Sequence, residues 1–252
     1  MRSTVFALIL AASPAAATPL FPNSVASNDL DFIRPGDPQT FACLRATGTG
    51  RREMPDPRRD DLFADGVHLF EALFTDGTMV PIWVHPDVDD PAARAAQLGP
   101  PLGHLPTAMR APLTRVVVLD GDAGAFSEDQ GRFFVLGTDR MDVRLSEDDL
   151  EETVFHETVH ASLDIPHAAS AAWRAAVNAD GAFVTEYATN PQEDMAEHAL
   201  FALPVLRHPG RLPPEIETRV RDLIPNRLAF FQALLDDGPW TRPVGPAPTC
   251  PG

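Results

Sequence analysis

The pentapeptide His156-Glu157-Thr158-Val159-His160 sets the strongest condition on this chain, because its chemistry requires a helix. Residues four apart on an α-helix lie one above the other, so His156 and His160 can present two imidazoles to one ion. Zn²⁺ takes such nitrogens at about 2.0–2.1 Å. Glu157 then stands where it can accept a proton from water at the metal. The preceding sequence supports a helix: Ser146 and Asp149 have capping-box spacing, and Glu147, Asp148, Glu151 and Glu152 load the positive end of its dipole. Phe155, Val159, Ser162 and Leu163 form a mostly apolar stripe for burial, and Pro166 is expected to end the helix.

A closed site needs a further ligand, and the downstream sequence offers several. His167 is disfavoured, since Pro166 and Leu163 occupy the positions where a third-histidine pattern needs His and Gly. Asp164, one helical turn beyond His160, reads as a cap or surface acid. Glu193 is the strongest candidate. Asn190-Pro191-Gln192-Glu193 joins an Asn cap, a first-turn proline and an acid, the signature of a new helix. Glu197 lies one turn further on the same face, where it can accept a hydrogen bond from the outer nitrogen of a ligand histidine. Asp194 is the runner-up to Glu193, and His198 reads as a surface or supporting residue. Tyr187 is the only tyrosine in a chain with 15 phenylalanines. A buried phenol needs a polar partner, so a merely structural aromatic would more simply be Phe. Tyr187 is therefore a candidate for catalysis.

Organisation follows composition. Met1-Arg2, an apolar run over 5–12 and Ala15-Ala16-Ala17 predict a signal peptide over 1–17, and with it an exported protein, periplasmic or extracellular. No later stretch is apolar enough to cross a bilayer. A net charge of −16, with arginine as the sole strong base, argues against nucleic acid or an anionic membrane surface as partner. Cys43 and Cys250 are expected to form a disulfide between the N-terminal arm and the C-terminal tail.

Residues 18–61 read as a Pro-rich arm with one short element near 41–44, residues 62–237 as the folded domain and 238–252 as an irregular tail. Within the domain, 67–74 and 79–85 form a hairpin about Asp76-Gly77, with His68 and His85 as ordinary strand residues. A helix is expected near 91–98, a loop at His104, a central strand at 113–119 and a turn at 120–124. A second hairpin pairs 133–136 with 141–145 and feeds into Ser146. This hairpin is the candidate for pairing with an extended peptide. Helices follow over 168–178, from Asn190 to Pro204, and near 214–223 and 226–235, with 183–187 extended between the first two. The fold class is α+β: a small mixed twisted sheet with an antiparallel edge strand, packed on the motif helix, then a C-terminal helical part.

His156-Glu157-Thr158-Val159-His160 followed by Glu193-Asp194-Met195-Ala196-Glu197 resembles the gluzincin peptidases. The segment from Tyr187 to Glu197 is similar to the catalytic domain of anthrax lethal factor and related bacterial secreted proteins, which share a Tyr, a ligand Glu and an Ala-Glu pair. Here these are Tyr187, Glu193, Ala196 and Glu197, with Tyr187 one residue nearer its Glu. The resemblance covers about 145–203. It implies a zincin-like domain with one zinc on His156, His160 and Glu193, Glu157 as general base, and Tyr187 hydrogen-bonding the tetrahedral intermediate of a peptide or protein substrate. The alternatives are a zinc-holding scaffold without turnover, or a zinc hydrolase of non-peptide amides; the intact Glu157 favours an enzyme.

Overall fold

The computed structural model describes residues 18–25, 29–128, 130–235 and 241–250, so the expected signal peptide lies outside the described residues. Strands β1 (Phe41–Glu53), β2 (Phe63–Phe74), β3 (Met79–Val84), β4 (Arg115–Leu119), β5 (Ala125–Glu128) and β6 (Phe133–Gly137) form one sheet in the order β1-β2-β3-β4-β6-β5. The central pairs β3/β4 and β4/β6 are parallel, and the outer pairs are antiparallel. This is the mixed sheet of an α+β protein.

β4 shows why the sheet has two covered faces. Its Arg-Val-Val-Val-Leu run is buried at every position. Successive side chains alternate, sending Val116 and Val118 into the main core and Val117 and Leu119 into a smaller one with Met54, Val67 and Val135. The main core lies between the sheet and the helices. Three short helices, α1 (Pro91–Gln97), α2 (Gly99–His104) and α3 (Thr107–Arg110), bridge β3 and β4. Next come α4 (Thr138–Ser146) and α5 (Leu150–Val159), which continues into wider π-type turns over His160–Ala168. The remainder is α6 (Ala171–Asp180), α7 (Asp194–Arg207), α8 (Pro214–Leu223) and α9 (Pro225–Leu235).

Several local expectations change. The arm contains the longest strand: β1 runs to Glu53, far beyond the short element expected near 41–44. Residues 141–145 are helical, within α4, although Met-Asp-Val-Arg-Leu alternates like a strand. Thr138, Met141 and Arg144 are its buried positions, a helical spacing, while Val143 and Leu145 are left exposed. β6 therefore pairs instead with β5, just after the Asp120–Gly124 turn. Ser146 ends α4 rather than boxing α5; its hydroxyl donates to the Val143 carbonyl at 2.8 Å. Neither proline stops its helix. Pro166 sits within the widened turns, and Pro204 within α7, where packing of the buried Val205 holds the last turn. His104 belongs to α2 and is buried.

Cys43 on β1 and Cys250 form a disulfide with Cα atoms 5.9 Å apart. Among the described residues no helix is long and apolar enough to cross a membrane.

Candidate metal centre

His156 occupies the last turn of α5, and His160 opens the π-type turns one turn later. Their Nε2 atoms lie 3.2 Å apart. Glu193 Oε2 is 3.3 Å from the first and 3.2 Å from the second. Tetrahedral ligands at about 2.0–2.1 Å from a zinc ion stand about 3.3 Å from one another, so the triangle has the edge length that one such ion requires. Among the described residues, His156, His160 and Glu193 are the group of His, Cys, Asp and Glu side chains placed to hold a metal ion.

Glu193 reaches the triangle from the turn before α7. Its N–H donates to the Asn190 carbonyl at 2.9 Å, and the Asn190 side chain accepts from Gln192 N–H at 3.2 Å. Asn190 thus shapes the turn, and the helix starts later than expected, at Asp194. Burial raises the Glu193 pKa, but hydrogen bonds to the two imidazoles outweigh it and leave the carboxyl well below the usual range. Burial likewise opposes a charge on His160, yet Asp164 and Glu193 push it up to about 10. The shifts are complementary: the acids favour positive charge at the His160 imidazole, and the imidazoles favour the ionised form of Glu193.

Each histidine has an acid behind it. Asp164 Oδ2 lies 2.7 Å from His160 Nδ1. A carboxylate there accepts a hydrogen bond from Nδ1–H, which keeps the proton on Nδ1 and leaves the Nε2 lone pair of the neutral ring facing the triangle. Asp164 is thus the partner of a ligand histidine, not the cap or surface acid expected from sequence. Its spacing from His160, one helical turn, was the available signal. Glu197 is fully buried, with Oε1 3.5 Å from His156 Nδ1. It accepts from Ser24 Oγ at 2.6 Å, Val25 N–H at 2.8 Å and Thr185 Oγ1 at 2.7 Å. The N-terminal strap therefore reaches the back of the site, which no local pattern in the sequence indicates.

Glu157 is buried beside the triangle, and Ser127 Oγ on β5 donates to its Oε2 at 2.7 Å. Ser127 was not singled out from sequence. An open cleft of about 750 Å³ exposes this group, walled by β5, Ile165, Tyr187 and Gln192. Tyr187 lies in a 3₁₀ turn, Tyr187–Thr189, and is 44% exposed at the lip of the cleft. Burial and the hydrogen-bonded Glu193 carboxylate push its pKa up to about 12, so the phenol stays protonated as a donor.

The other candidates lie elsewhere. The His167 ring packs against Phe230 at 5.8 Å. Asp194 is buried against Arg227 Nη2 at 3.1 Å and His198 Nδ1 at 2.7 Å. His198, expected at the surface or in a supporting position, is fully buried and accepts from Val184 N–H at 3.2 Å through Nε2. A backbone N–H can only donate, so the His198 proton is on Nδ1. No family model, curated protein or solved structure matches the chain, so the reading of this site rests on its own geometry.

Proposed function

We propose that the protein is an exported zinc-dependent peptidase, with His156, His160 and Glu193 as ligands and Glu157 as general base. The observation that carries this is the convergence of three ligand atoms, 3.2–3.3 Å apart, beside a buried carboxylate in an open cleft. Zinc held there supplies Lewis acidity, polarising a carbonyl and lowering the pKa of water from 15.7 towards about 7. Glu157 takes the proton of the attacking water and passes it to the leaving amine, restoring its own charge. Ser127 fixes Oε2 of that carboxylate, which limits its rotation during the transfer. The Tyr187 O–H donates a hydrogen bond to the oxyanion formed at the attacked carbonyl.

Peptide is favoured as substrate by β5. It pairs with β6 on one side only, is the last strand of the sheet and lines the cleft. An extended chain can add there by backbone hydrogen bonds. This moves the substrate-pairing role from residues 141–145, now known to be helical, to Ala125–Glu128. Export is supported by the disulfide, which persists in oxidising compartments.

The test is hydrolysis of a mixed peptide pool by purified protein, alongside metal analysis. About one zinc per chain and cleavage abolished both by chelator and by Glu157→Gln are expected. Cleavage by Glu157→Gln within a few-fold of the unaltered protein would reject the mechanism.

A further inference from the structure

Beside the main cleft lies a smaller recess of about 230 Å³. It shares Ala125, His156, Glu157 and Tyr187 with the cleft, so a group seated in it is adjacent to the reacting centre. Its other walls are Ser24 from the N-terminal strap, Arg140 and Arg144 from α4, and Thr153 from α5.

The two arginines differ. Arg144 is tied to Asp149 at 3.1 Å and Glu147 at 3.3 Å, and its charge is thereby compensated. Arg140 is half-buried and makes no hydrogen bond or ion pair among the described residues. Thr153 adds a second observation: its Oγ1 is buried and has no hydrogen-bond partner, in a residue only 4% exposed. Buried hydroxyls are nearly always satisfied, and a bound polar group is one way to satisfy this one. The neighbouring cleft offers the opposite environment, with Glu157, Asp164 and Glu193 all facing it. Glu157 lies between the two, but Asp164 and Glu193 face only the cleft and the arginines only the recess, so an anionic substrate group is better placed in the recess.

We propose that the recess is a subsite for a carboxylate of the substrate, carried close to the scissile bond and held by Arg140. This rests on the peptidase reading given above and names its substrate class: peptides with an acidic residue, or a free C-terminal carboxylate, next to the cleaved bond. A guanidinium matches a carboxylate with two parallel N–H···O bonds, and such charged hydrogen bonds discriminate by about 10–100-fold against an uncharged isostere.

The experiment uses matched peptides that differ only as Glu against Gln beside the cleaved bond, and as free acid against amide at the C-terminus. Their kcat/KM values are compared for the unaltered zinc-loaded protein, Arg140→Gln and Arg140→Lys. Binding of the same peptides to Glu157→Gln, with and without Arg140→Gln, is measured by calorimetry. The expected result is an acid preference of about tenfold or more, lost in Arg140→Gln and partly kept in Arg140→Lys, in cleavage and in binding alike. The pair of peptides that shows the preference identifies a side-chain or a terminal carboxylate as the source. Cleavage with equal acid-to-neutral ratios in all three proteins overturns the subsite and leaves the peptidase standing. Absence of cleavage, with acid-selective binding abolished by Arg140→Gln, keeps the subsite and overturns the peptidase. Absence of both overturns both.

Discussion

At the scale of single residues, the site separates three side chains placed to hold a metal ion from the acids that stand behind them. Glu193→Ala and His160→Ala each remove one corner of the triangle and should empty the site or weaken it severely in a zinc titration. Asp164→Ala frees the His160 ring, and Glu197→Ala removes the acid 3.5 Å behind His156 together with the anchor of the N-terminal strap; each should weaken zinc or activity by about 10–100-fold. Equal zinc binding by Asp164→Ala and the unaltered protein would remove Asp164 from its role. Asp194→Ala is a different experiment. It removes one of the two acids beside the buried Arg227, which keeps Asp180 at 3.3 Å, while His198 Nδ1 keeps the main-chain carbonyl of residue 194 at 2.7 Å, so urea unfolding should show a loss of roughly 1–3 kcal/mol. An unfolding midpoint unchanged by Asp194→Ala would mean that this network adds no stability. The metal triangle was legible in sequence because His156, His160 and the Glu193–Glu197 pair are linked by helical spacing. Ser127 and Ser24 were not, since each meets its acid across more than two dozen residues of chain, on elements whose docking no local rule describes.

At the scale of elements, α5 carries more than its histidines. Glu152, one turn before His156, is 2% exposed and accepts a hydrogen bond from Ile33 N–H at 2.9 Å. Burial outweighs that bond and raises its pKa from 4.5 to about 8. The folded state therefore keeps a proton that the unfolded chain releases above pH 4.5. Its contribution is complete below pH 4.5, declines as pH rises and is gone above about pH 8. Glu152→Gln should remove this part of the slope, so melting temperatures of the two proteins should diverge between pH 5 and pH 8 in favour of the variant. Parallel melting curves across that range would contradict the assignment. The same elements show where periodicity misleads. β1 is an edge strand, mostly half-buried or exposed along its length, so its Cys-Leu-Arg-Ala-Thr-Gly run never needed the apolar alternation that marks a strand. In α4 the alternation is present, but docking against α5 and β6 selects the helix. The strongest apolar run, β4, was read correctly because burial on both faces leaves few alternatives.

At the scale of the whole molecule, the N-terminal arm and the C-terminal tail are parts of the fold. The disulfide joins positions 207 residues apart, which makes nearly the whole chain one closed loop. Cys43→Ala with Cys250→Ala should cost roughly 2–5 kcal/mol of stability by denaturant titration, with the zinc triangle retained at low temperature. Urea midpoints that agree within error for both proteins would show that the bond closes a loop the fold already holds. The strap around Ser24 has a separate consequence, in time. Ser24 and Val25 are among the first residues synthesised, but their partner Glu197 follows 173 and 172 positions later. Contacts so distant along the chain are late events in folding. The support behind His156 thus cannot be completed before α7 exists to receive the strap. Order at the back of the candidate site is therefore a late product of maturation: the acid behind His156 gains its full set of donors only when the two ends of the fold have met.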